Sequence, residues 1–550
     1  MKFPFTLPPI PKPEEIKKKI IDSQIWRSMF RGGAWKDTPR DRAQHILGNV
    51  WLHLHPSRVR KNSLKWNYTF GLGGLSFLLF LILTVTGVLL MFYYRPSVDL
   101  AYRDMKDLEY AVSFGAFLRA MHRWSAHAMV LIVILHMVRV FLTGSYKTPR
   151  EFNWMIGVVL LVLTLLLSFT GYLLPWDQLA LWAVTVGTNM GAASPMLGAE
   201  GPFSIVSRSN DIRFVLLGGS AVGANTLIRF YVLHCVFVPI VAGALMIVHF
   251  WRVRKDTFSG PPISPQELPH DKVDTWPHLV VREYIGAIGC MIVISLWSLL
   301  QKAPLEEMAN PTVTPNPSKA PWYFTGLQEL LVYFDPWIAG VVLPTMIMVG
   351  LMAIPYIDPD KNKGVGKYSF KERPLAMTYF LFGIGMWFFL IFIGSFLRGP
   401  NWDIYWPWQS WHIHKPPPPH TWSLPIGVGL AAVGGYFIIG MVLPLLLGPE
   451  FEWKKSLRNG LLSILGLASV IKIVAKIQWE QMVWLVVFSF IYYVMGVLVP
   501  RRHLVTQPKV RYAITMVLVL LMLGVLMKMG VRLGFHIKYI LTLPQFQLNI

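Results

Sequence analysis

Long apolar blocks alternate with short polar stretches along most of this chain. Many of the blocks reach the ~20 residues that a helix needs to cross about 30 Å of hydrocarbon. They predict spanning helices over about 68–94, 115–142, 153–174, 227–251, 280–301, 335–356, 376–397, 425–447, 459–477, 480–499 and 511–532. Block 459–477 carries Lys472 and Lys476 near its end, so an interfacial helix is the alternative there. The pattern predicts an all-α, polytopic membrane helical bundle of about 10–11 transmembrane helices.

The polar stretches divide the chain into parts. The boundaries lie at 1–66 (N-terminal segment), 67–255 (four-helix core), 256–279 (Pro-rich linker), 280–400 (three-helix part), 401–424 (Trp- and Pro-rich external loop) and 425–550 (C-terminal transmembrane extension). In the first part, Glu14 to Phe30 mixes apolar residues with lysines and predicts an amphipathic helix on the membrane surface. A disordered basic tail is the alternative for that segment.

Composition narrows the class of protein further. Hydrophobic residues make up 54% and charged residues 15% of the chain, which excludes a soluble enzyme, a disordered protein and a coiled coil. The net charge of +22 would suit nucleic acid, but in a membrane protein it reflects cytoplasmic loops rich in Lys and Arg, so we expect no nucleic-acid partner. The basic loops Arg139–Arg150, Arg252–Lys255 and Lys361–Arg373 predict a cytoplasmic N-terminus. The second and fourth spans then run in the same direction.

Four histidines on those two spans are the clearest chemical signal. His122 and His136 lie 14 residues apart (136 − 122), and His234 and His249 lie 15 apart (249 − 234). Fourteen residues is close to four turns, and fifteen residues exceed four turns by about 60°, which a tilt or a local helix distortion can absorb. The separation along each axis is ~21–22 Å. On parallel helices the first histidines pair, as do the second, and each pair can ligate one haem iron without leaving an open position.

The alternative, four polar core histidines, is disfavoured because histidine is rare within spanning segments. His127 has no matched histidine and is expected to be a hydrogen-bonding or pocket residue. Gly73 and Gly87, and likewise Gly157 and Gly171, are 14 apart, and without a Cβ they would let a flat macrocycle approach. Small-residue helix packing is the alternative. Arginines flank both histidine levels and can pair with haem propionates or simply snorkel to the interface: Arg119, Arg139 and Arg229.

These motifs resemble a known family. Arg119–Ala126, Ile134–Val140, Thr170–Gln178 and Arg229–His234 are similar to cytochrome b of the quinol-oxidising Rieske/cytochrome b (bc- and bf-type) complexes. The 15-residue spacing and the Phe92–Pro96 segment resemble the chloroplast and cyanobacterial branch, in which cytochrome b is split from a three-helix partner, subunit IV. Here 67–255 resembles the dihaem cytochrome b core and 280–397 resembles subunit IV, joined in one chain. The extension after about 400 has no counterpart.

The resemblance implies a function. His122 and His234 would hold an outer b-type haem, and His136 and His249 an inner one. Quinol would be oxidised at an outer site, with one electron passing to a Rieske iron–sulfur protein and the other through both haems to quinone at an inner site, coupled to proton translocation. Further expectations are one or more c-type cytochrome subunits, a homodimer, contact with membrane lipid, and a multi-pass location in a bacterial inner membrane.

The outer quinol site would lie around Tyr172, Asn189, Gly191, Pro195 and the run Pro321–Phe324. The family motif there is Pro-Glu-Trp-Tyr, whereas this chain has Ala320, Pro321, Trp322 and Tyr323, without the glutamate that accepts a quinol proton. We hypothesise that Glu329, the nearest carboxylate, takes over the proton path, because a proton acceptor needs a titratable side chain. A helix-surface carboxylate is the alternative.

The cysteines differ from the family pattern in a second respect. The chain has two, Cys235 and Cys290, too few for a disulfide scaffold or a Cys-ligated cluster, and none precedes the first span. We therefore predict two non-covalent b-type haems and no thioether-linked third. Candidates for inner-site proton donors are His278, Arg282 and Glu283, for which a plain helix-terminus role is the alternative. The competing functions are a dihaem quinone-reactive anchor of a dehydrogenase without a Rieske partner and, less favoured, a transporter or structural membrane protein.

Overall fold

The structure, a computed structural model, is an all-α polytopic membrane bundle, as the sequence predicts. It describes residues 12–23, 37–49, 52–53, 55–264, 266, 271–360, 363–417 and 419–550. In these residues eleven helices are long and apolar enough to cross a membrane. In chain order they are Leu72–Met91, Gly115–Leu142, Glu151–Tyr172, Ala224–Asp256, Thr275–Leu300, Trp337–Ile357, Pro374–Leu397, Ile426–Leu447, Trp453–Ala475, Trp479–His503 and Lys509–Phe535, called the first to eleventh spans. The ninth, where an interfacial helix was the alternative, is 23 residues long and sufficient to cross.

The remaining elements are short. The other helices are Pro13–Asp22, Pro39–Gly48, Lys61–Leu64, Trp66–Thr69, Ala101–Tyr110, Gln178–Ala192, Ile212–Leu217, Trp322–Tyr333, Pro400–Trp402 and Pro544–Phe546. The strands form three pairs: Arg58–Arg60 antiparallel to Lys272–Asp274, Trp422–Ser423 parallel to Ile537–Tyr539, and Thr542–Leu543 antiparallel to Leu548–Asn549. The predicted surface helix is present over Pro13–Asp22 with no buried residue, and its predicted remainder, 24–30, lies outside the described residues.

The first span starts four residues later than the hydropathy predicts, at Leu72 instead of 68. Phe70 and Gly71 both take left-handed backbone angles, with φ of 52° and 64°. Since a left-handed residue cannot continue a right-handed helix, Phe70 ends the short helix Trp66–Thr69 and the span begins after Gly71. Apolar character alone gives no sign of this break.

Four spans contain a π-helical segment, in which the backbone turn is one residue wider. The segments are Leu233–Phe237, Trp337–Val342, Ile393–Leu397 and Tyr493–Leu498. Proline stands at the second position after three of them, at Pro239, Pro344 and Pro500. Because proline has no backbone N–H and its ring crowds the carbonyl four residues earlier, the regular α-helical bond is lost there and a wider turn is favoured.

The helices pack around two regions, which are joined by contacts of the sixth and seventh spans with the tenth and eleventh. The first four spans pack together, with the first against the second and the third against the fourth, while the fifth and sixth lie against the second and third. Helix Trp322–Tyr333 packs on the seventh span. The eleventh span is half buried and contacts the eighth and tenth, so it forms the centre of the C-terminal extension. The chemistry predicted from the sequence falls within the first region.

Candidate functional site

The four histidines of the second and fourth spans lie in two pairs at different depths. The rings of His122 and His234 face each other with their centroids 6.2 Å apart and their planes at 79°. All four histidines line one cavity of about 550 Å³, the first cavity. His136 and His249 also line a second cavity of about 580 Å³, which reaches the N-terminal segment. The parallel second and fourth spans thus place equivalent histidines at equivalent levels.

The unequal spacing of the two histidine pairs is accommodated inside the fourth span. The π-helical segment Leu233–Phe237 contains His234, and the Val238 N–H bonds to the Leu233 carbonyl, five residues back. This wider turn takes up one extra residue without rotating the rest of the helix. A local distortion, one of the two ways in which the 15-residue spacing could be absorbed, is therefore present, and it lies at the histidine itself.

Each of the four predicted glycines faces one of the four histidines. A Cβ added to Gly73, Gly87, Gly157 and Gly171 would lie 3.2, 3.2, 3.6 and 2.4 Å from Cε1 of His136, His122, His249 and His234, respectively. The space left by the missing Cβ is therefore occupied first by an imidazole edge. From the sequence, we expected this space to be needed for a flat macrocycle. The structure adds a direct reason for glycine, because any larger residue at 171 would displace the ring of His234.

Hydrogen bonds fix the ring nitrogens of the first pair. His234 Nδ1 lies 3.0 Å from the Leu167 carbonyl, an acceptor, so Nδ1 carries the proton and donates. Thr86 Oγ1 donates its proton to the Ile82 carbonyl at 2.7 Å and so accepts from His122 Nδ1 at 2.9 Å. In both neutral rings Nε2 is then unprotonated, the form that ligates a metal.

The three predicted arginines have different surroundings. Arg119, in the wall of the first cavity, bonds to Glu109 at 3.2 Å and to two backbone carbonyls. Arg139, in the wall of the second, lies over the Tyr68 ring, with 4.6 Å from its Cζ to the centroid. Arg229 lies away from the lining of both cavities and donates to the Val215 carbonyl. Two of the three are therefore placed to meet an anionic group in a cavity.

The residues predicted for quinol oxidation are partly brought together. Tyr172, Pro321 and Tyr323 line the first cavity beside the first histidine pair, and the Arg123 guanidinium lies 4.9 Å from the Tyr172 ring centroid. Trp322 is not part of the cavity lining. Asn189, Gly191 and Pro195, also predicted, are not part of the lining. The geometry thus concentrates the candidate site on the end of the third span and the loop before Trp322–Tyr333.

Glu329 does not lie where the proton hypothesis needs it. It is outside the lining of the first cavity and fully buried, with 0% exposure, so the alternative of a helix-surface carboxylate is wrong. Arg398 donates to it twice, at 2.6 and 2.9 Å, Tyr333 at 2.7 Å and the Trp402 indole at 3.1 Å. These four donors occupy both oxygens of the carboxylate and leave it no free face towards a substrate. The contacts favour a structural role.

Sequence reasoning overlooked a carboxylate that does line the first cavity. Asp177 caps helix Gln178–Ala192 by accepting from the Ala180 N–H at 2.9 Å, and it also accepts from the Glu306 N–H. Burial raises the pKa of this carboxyl above its usual value, with the two backbone bonds opposing the shift. Its place directly after the Pro-Trp end of the third span was the available signal.

The second cavity brings together charged groups from the N-terminal segment and the fifth span. Of the candidate proton donors, Arg282 and Glu283 line it and His278 does not. His55, which the sequence did not single out, also lines it, with Nε2 3.2 Å from Glu283 Oε2. Burial alone would lower the pKa of His55, but the neighbouring Glu283 carboxylate outweighs it and raises the pKa above 6.5.

Comparisons with known proteins find two family matches along this chain. The family described as cytochrome b/b6/petB matches residues 59–257, and the one described as cytochrome b(C-terminal)/b6/petD matches residues 308–405. Cytochrome b6 of Gracilaria tenuistipitata var. liui is 44% identical over 195 residues, 36% of this chain and 86% of that protein. Cytochrome b6 of Heliomicrobium gestii is 41% identical over 217 residues, 40% of this chain and 94% of that protein.

A solved structure of a hyperthermophilic respiratory Complex III has a similar fold. Its TM-score is 0.53 at 23% identity, over 70% of this chain and 91% of that one. The two family matches fall on one continuous chain here, on either side of the linker that follows the fourth span.

Proposed function

The chain belongs to the cytochrome b/b6 family, and from this premise we propose that it oxidises quinol near the first cavity and reduces quinone near the second. It is an integral membrane subunit of a redox enzyme complex. One electron of each quinol goes to a Rieske iron–sulfur partner and the other crosses to the inner site, coupled to proton translocation. The paired histidines of parallel spans are the observation that carries this proposal.

The first pair fits the b-type haem that the family implies. Two imidazoles on opposite sides of one metal need about 4 Å for the two metal–nitrogen bonds and ~2 Å for the two ring radii, close to the observed 6.2 Å between centroids. Both Nε2 atoms are free of protons, and the glycine opposite each ring leaves it room. The second pair has the same glycine arrangement. We therefore assign two non-covalent haems to His122 with His234 and to His136 with His249.

Bound haem would supply one-electron redox chemistry at each level. The protein's part is to hold the rings in one tautomer through Thr86 and the Leu167 carbonyl, and to place Arg119 and Arg139 where carboxylates of the cofactor would meet positive charge. Arg229 has the weaker case, because it is outside both linings. Cys235 lines the first cavity and neither cysteine lines the second, and our proposal remains two non-covalent haems without a thioether-linked third.

The two faces have residues suited to quinone chemistry. At the outer site, Tyr172, Pro321 and Tyr323 form part of the wall. Asp177, which with Glu306 is one of two carboxylates in the lining, has a raised pKa that suits the exchange of protons. At the inner site, His55 and Glu283 form a pair that can relay a proton from the aqueous side. Both sites lie beside a histidine pair, so proton and electron transfer would occur close together.

Partners and orientation extend the proposal. Two cysteines cannot ligate an iron–sulfur cluster and a c-type haem, so a Rieske protein and one or more c-type cytochrome subunits would have to supply them. The basic loops after the second, fourth and sixth spans support a cytoplasmic N-terminus in a bacterial inner membrane. A homodimer follows the family pattern. The competing function, a dihaem anchor of a dehydrogenase, is less favoured because Pro321 and Tyr323 complete a cavity wall that it would not need.

Purification of the intact complex tests the function directly. We expect a Rieske subunit to co-purify and two b-type haems to be present per chain. The complex should oxidise a soluble quinol analogue, and a preparation depleted of the Rieske subunit should lose this activity. A dehydrogenase subunit in place of the Rieske protein, with haems retained, would support the competing function.

Replacing Gly171 by alanine should disturb the first histidine pair, whereas the same change at Gly157 should not. The new Cβ would be 2.4 Å from His234 Cε1 in the first case and at an ordinary 3.6 Å from His249 Cε1 in the second. We expect Gly171→Ala to lose one of the two haems from most molecules, measured by haem extraction per chain and by the reduced-minus-oxidised spectrum. Equal haem content in the two variants would show that the ring of His234 adjusts freely.

A further inference from the structure

His127, on the second span, has one ring nitrogen without a partner. The Trp322 indole N–H donates to its Nδ1 at 3.1 Å. Because an indole N–H can only donate, Nδ1 is unprotonated and the proton of the neutral ring is on Nε2. Nε2 is buried, and among the residues that the structure describes it has no hydrogen-bond partner. Buried donors are nearly always satisfied, so this N–H calls for a hydrogen-bond acceptor beyond those that the described residues supply.

The donor lies within the proposed outer quinol site. His127 lines the first cavity together with Tyr172, Pro321 and Tyr323, and its ring centroid is 5.7 Å from that of Tyr323. Its Nδ1 accepts the hydrogen bond from Trp322, the residue between Pro321 and Tyr323. The tie between the second span and this loop therefore orients the ring and sets which nitrogen is left for a ligand.

We propose that His127 Nε2–H donates a hydrogen bond to an oxygen of the quinol head group in the outer site. The inference rests on the proposed function, because it takes the first cavity as the place of quinol oxidation. At Pro321, where a motif glutamate would offer a carboxylate, the side chain has no polar atom, so the polar contact has to come from another element. In this tautomer His127 binds and orients the head group and takes no proton from it.

Two aromatic rings among the described residues compete with this assignment, because the ring centroids of Trp124 and Tyr323 lie 5.4 and 5.7 Å from that of His127. The ring of Tyr323 lies at 68° to that of His127, an edge-to-face arrangement in which a ring N–H can point at a π face. Such a contact is weaker than a bond to oxygen, and it would make His127 a packing residue without a role in binding. The two roles differ in what a quinol titration measures.

Two amide substitutions test the roles of the two ring nitrogens of His127 separately. Glutamine reaches as far as Nε2 and keeps a donor towards the cavity, whereas the shorter asparagine keeps a polar atom near Nδ1 for Trp322 but loses that donor. In the intact complex, we expect His127→Asn to raise the KM for a soluble quinol analogue about tenfold, the effect of one lost hydrogen bond, with kcat and haem content little changed. His127→Gln should restore most of the wild-type KM.

The outcomes distinguish this inference from the function on which it rests. Wild-type oxidation of quinol with the same KM in both variants would overturn the role of His127 and leave the proposed function standing. Loss of haem or of heat stability in His127→Asn, at unchanged KM, would also overturn it and assign the N–H to one of the two neighbouring rings. A complex that oxidises no quinol would overturn both.

Discussion

Replacing His234 by leucine should remove one of the two b-type haems and abolish quinol oxidation. Its imidazole faces His122 at 6.2 Å between centroids, and leucine has no atom that can ligate iron. The wall around it is mainly apolar, so leucine should be tolerated by the fold. We expect haem per chain to fall to half of the wild-type value, with the remaining haem titrating at a single potential, measured by extraction and by redox potentiometry of the purified complex.

Two further variants make this result specific. His249→Leu should also halve the haem content, but the haem that remains should titrate at the other potential, because the two pairs lie at different levels. His412→Leu, in the exposed loop after the seventh span, should keep both haems. If either core histidine were replaced without loss of haem, the ligand assignment would be wrong, and quinol oxidation through this chain would lose its main support.

The spans were predictable because membrane crossing depends on length and apolar content, both of which are local. The second span, Gly115–Leu142, has the bounds that hydropathy predicts. The first does not, since its start depends on the left-handed angles of Phe70 and Gly71. A phenylalanine in that conformation is stabilised by its surroundings, and the sequence gives no direct sign of them.

The helix distortion at His234 was predictable in kind, and the sequence also holds a signal for its position. A 15-residue spacing opposite one of 14 requires a wider turn somewhere between His234 and His249. Pro239 is the local signal. Because it has no N–H, it cannot bond to the carbonyl four residues earlier, and that carbonyl lies within the π-helical segment Leu233–Phe237. Read together, the spacing and the proline would have located the bulge.

Polar contacts between distant parts of the chain were beyond the sequence. The partner of Glu329 is Arg398, 69 residues later, and that of His127 is Trp322, 195 residues later. Neither residue type nor spacing selects such pairs, because they depend on how the helices pack in three dimensions. Proximity in sequence therefore singles out Glu329, whereas the carboxylates that line the cavity are Asp177 and Glu306.

Removing the charge of Glu329 should destabilise the fold more than it affects chemistry. Its carboxylate is fully buried and held by Arg398, Tyr333 and Trp402, so Glu329→Gln leaves a buried guanidinium without its counter-ion. Breaking such a pair from one side costs about 3–5 kcal/mol. We expect the half-life of the complex at elevated temperature to fall by well over tenfold, followed as the loss of the b-haem spectrum, whereas turnover per intact complex stays near that of the wild type.

A double-variant cycle separates this role from a proton path. Arg398→Met alone should destabilise as strongly as Glu329→Gln, because it leaves the carboxylate unpaired, while the two changes together should cost clearly less than their sum, since no charge is then left buried. Glu307→Gln, on an exposed carboxylate of the preceding loop, serves as the control without effect. If Glu329 accepted the quinol proton, Glu329→Gln would instead lower turnover at unchanged heat stability, and the second change at Arg398 would not restore it. Four donors around one carboxylate make the first pattern the expected one, because they occupy both of its oxygens and it lies outside the lining of the first cavity, where a quinol would have to reach it.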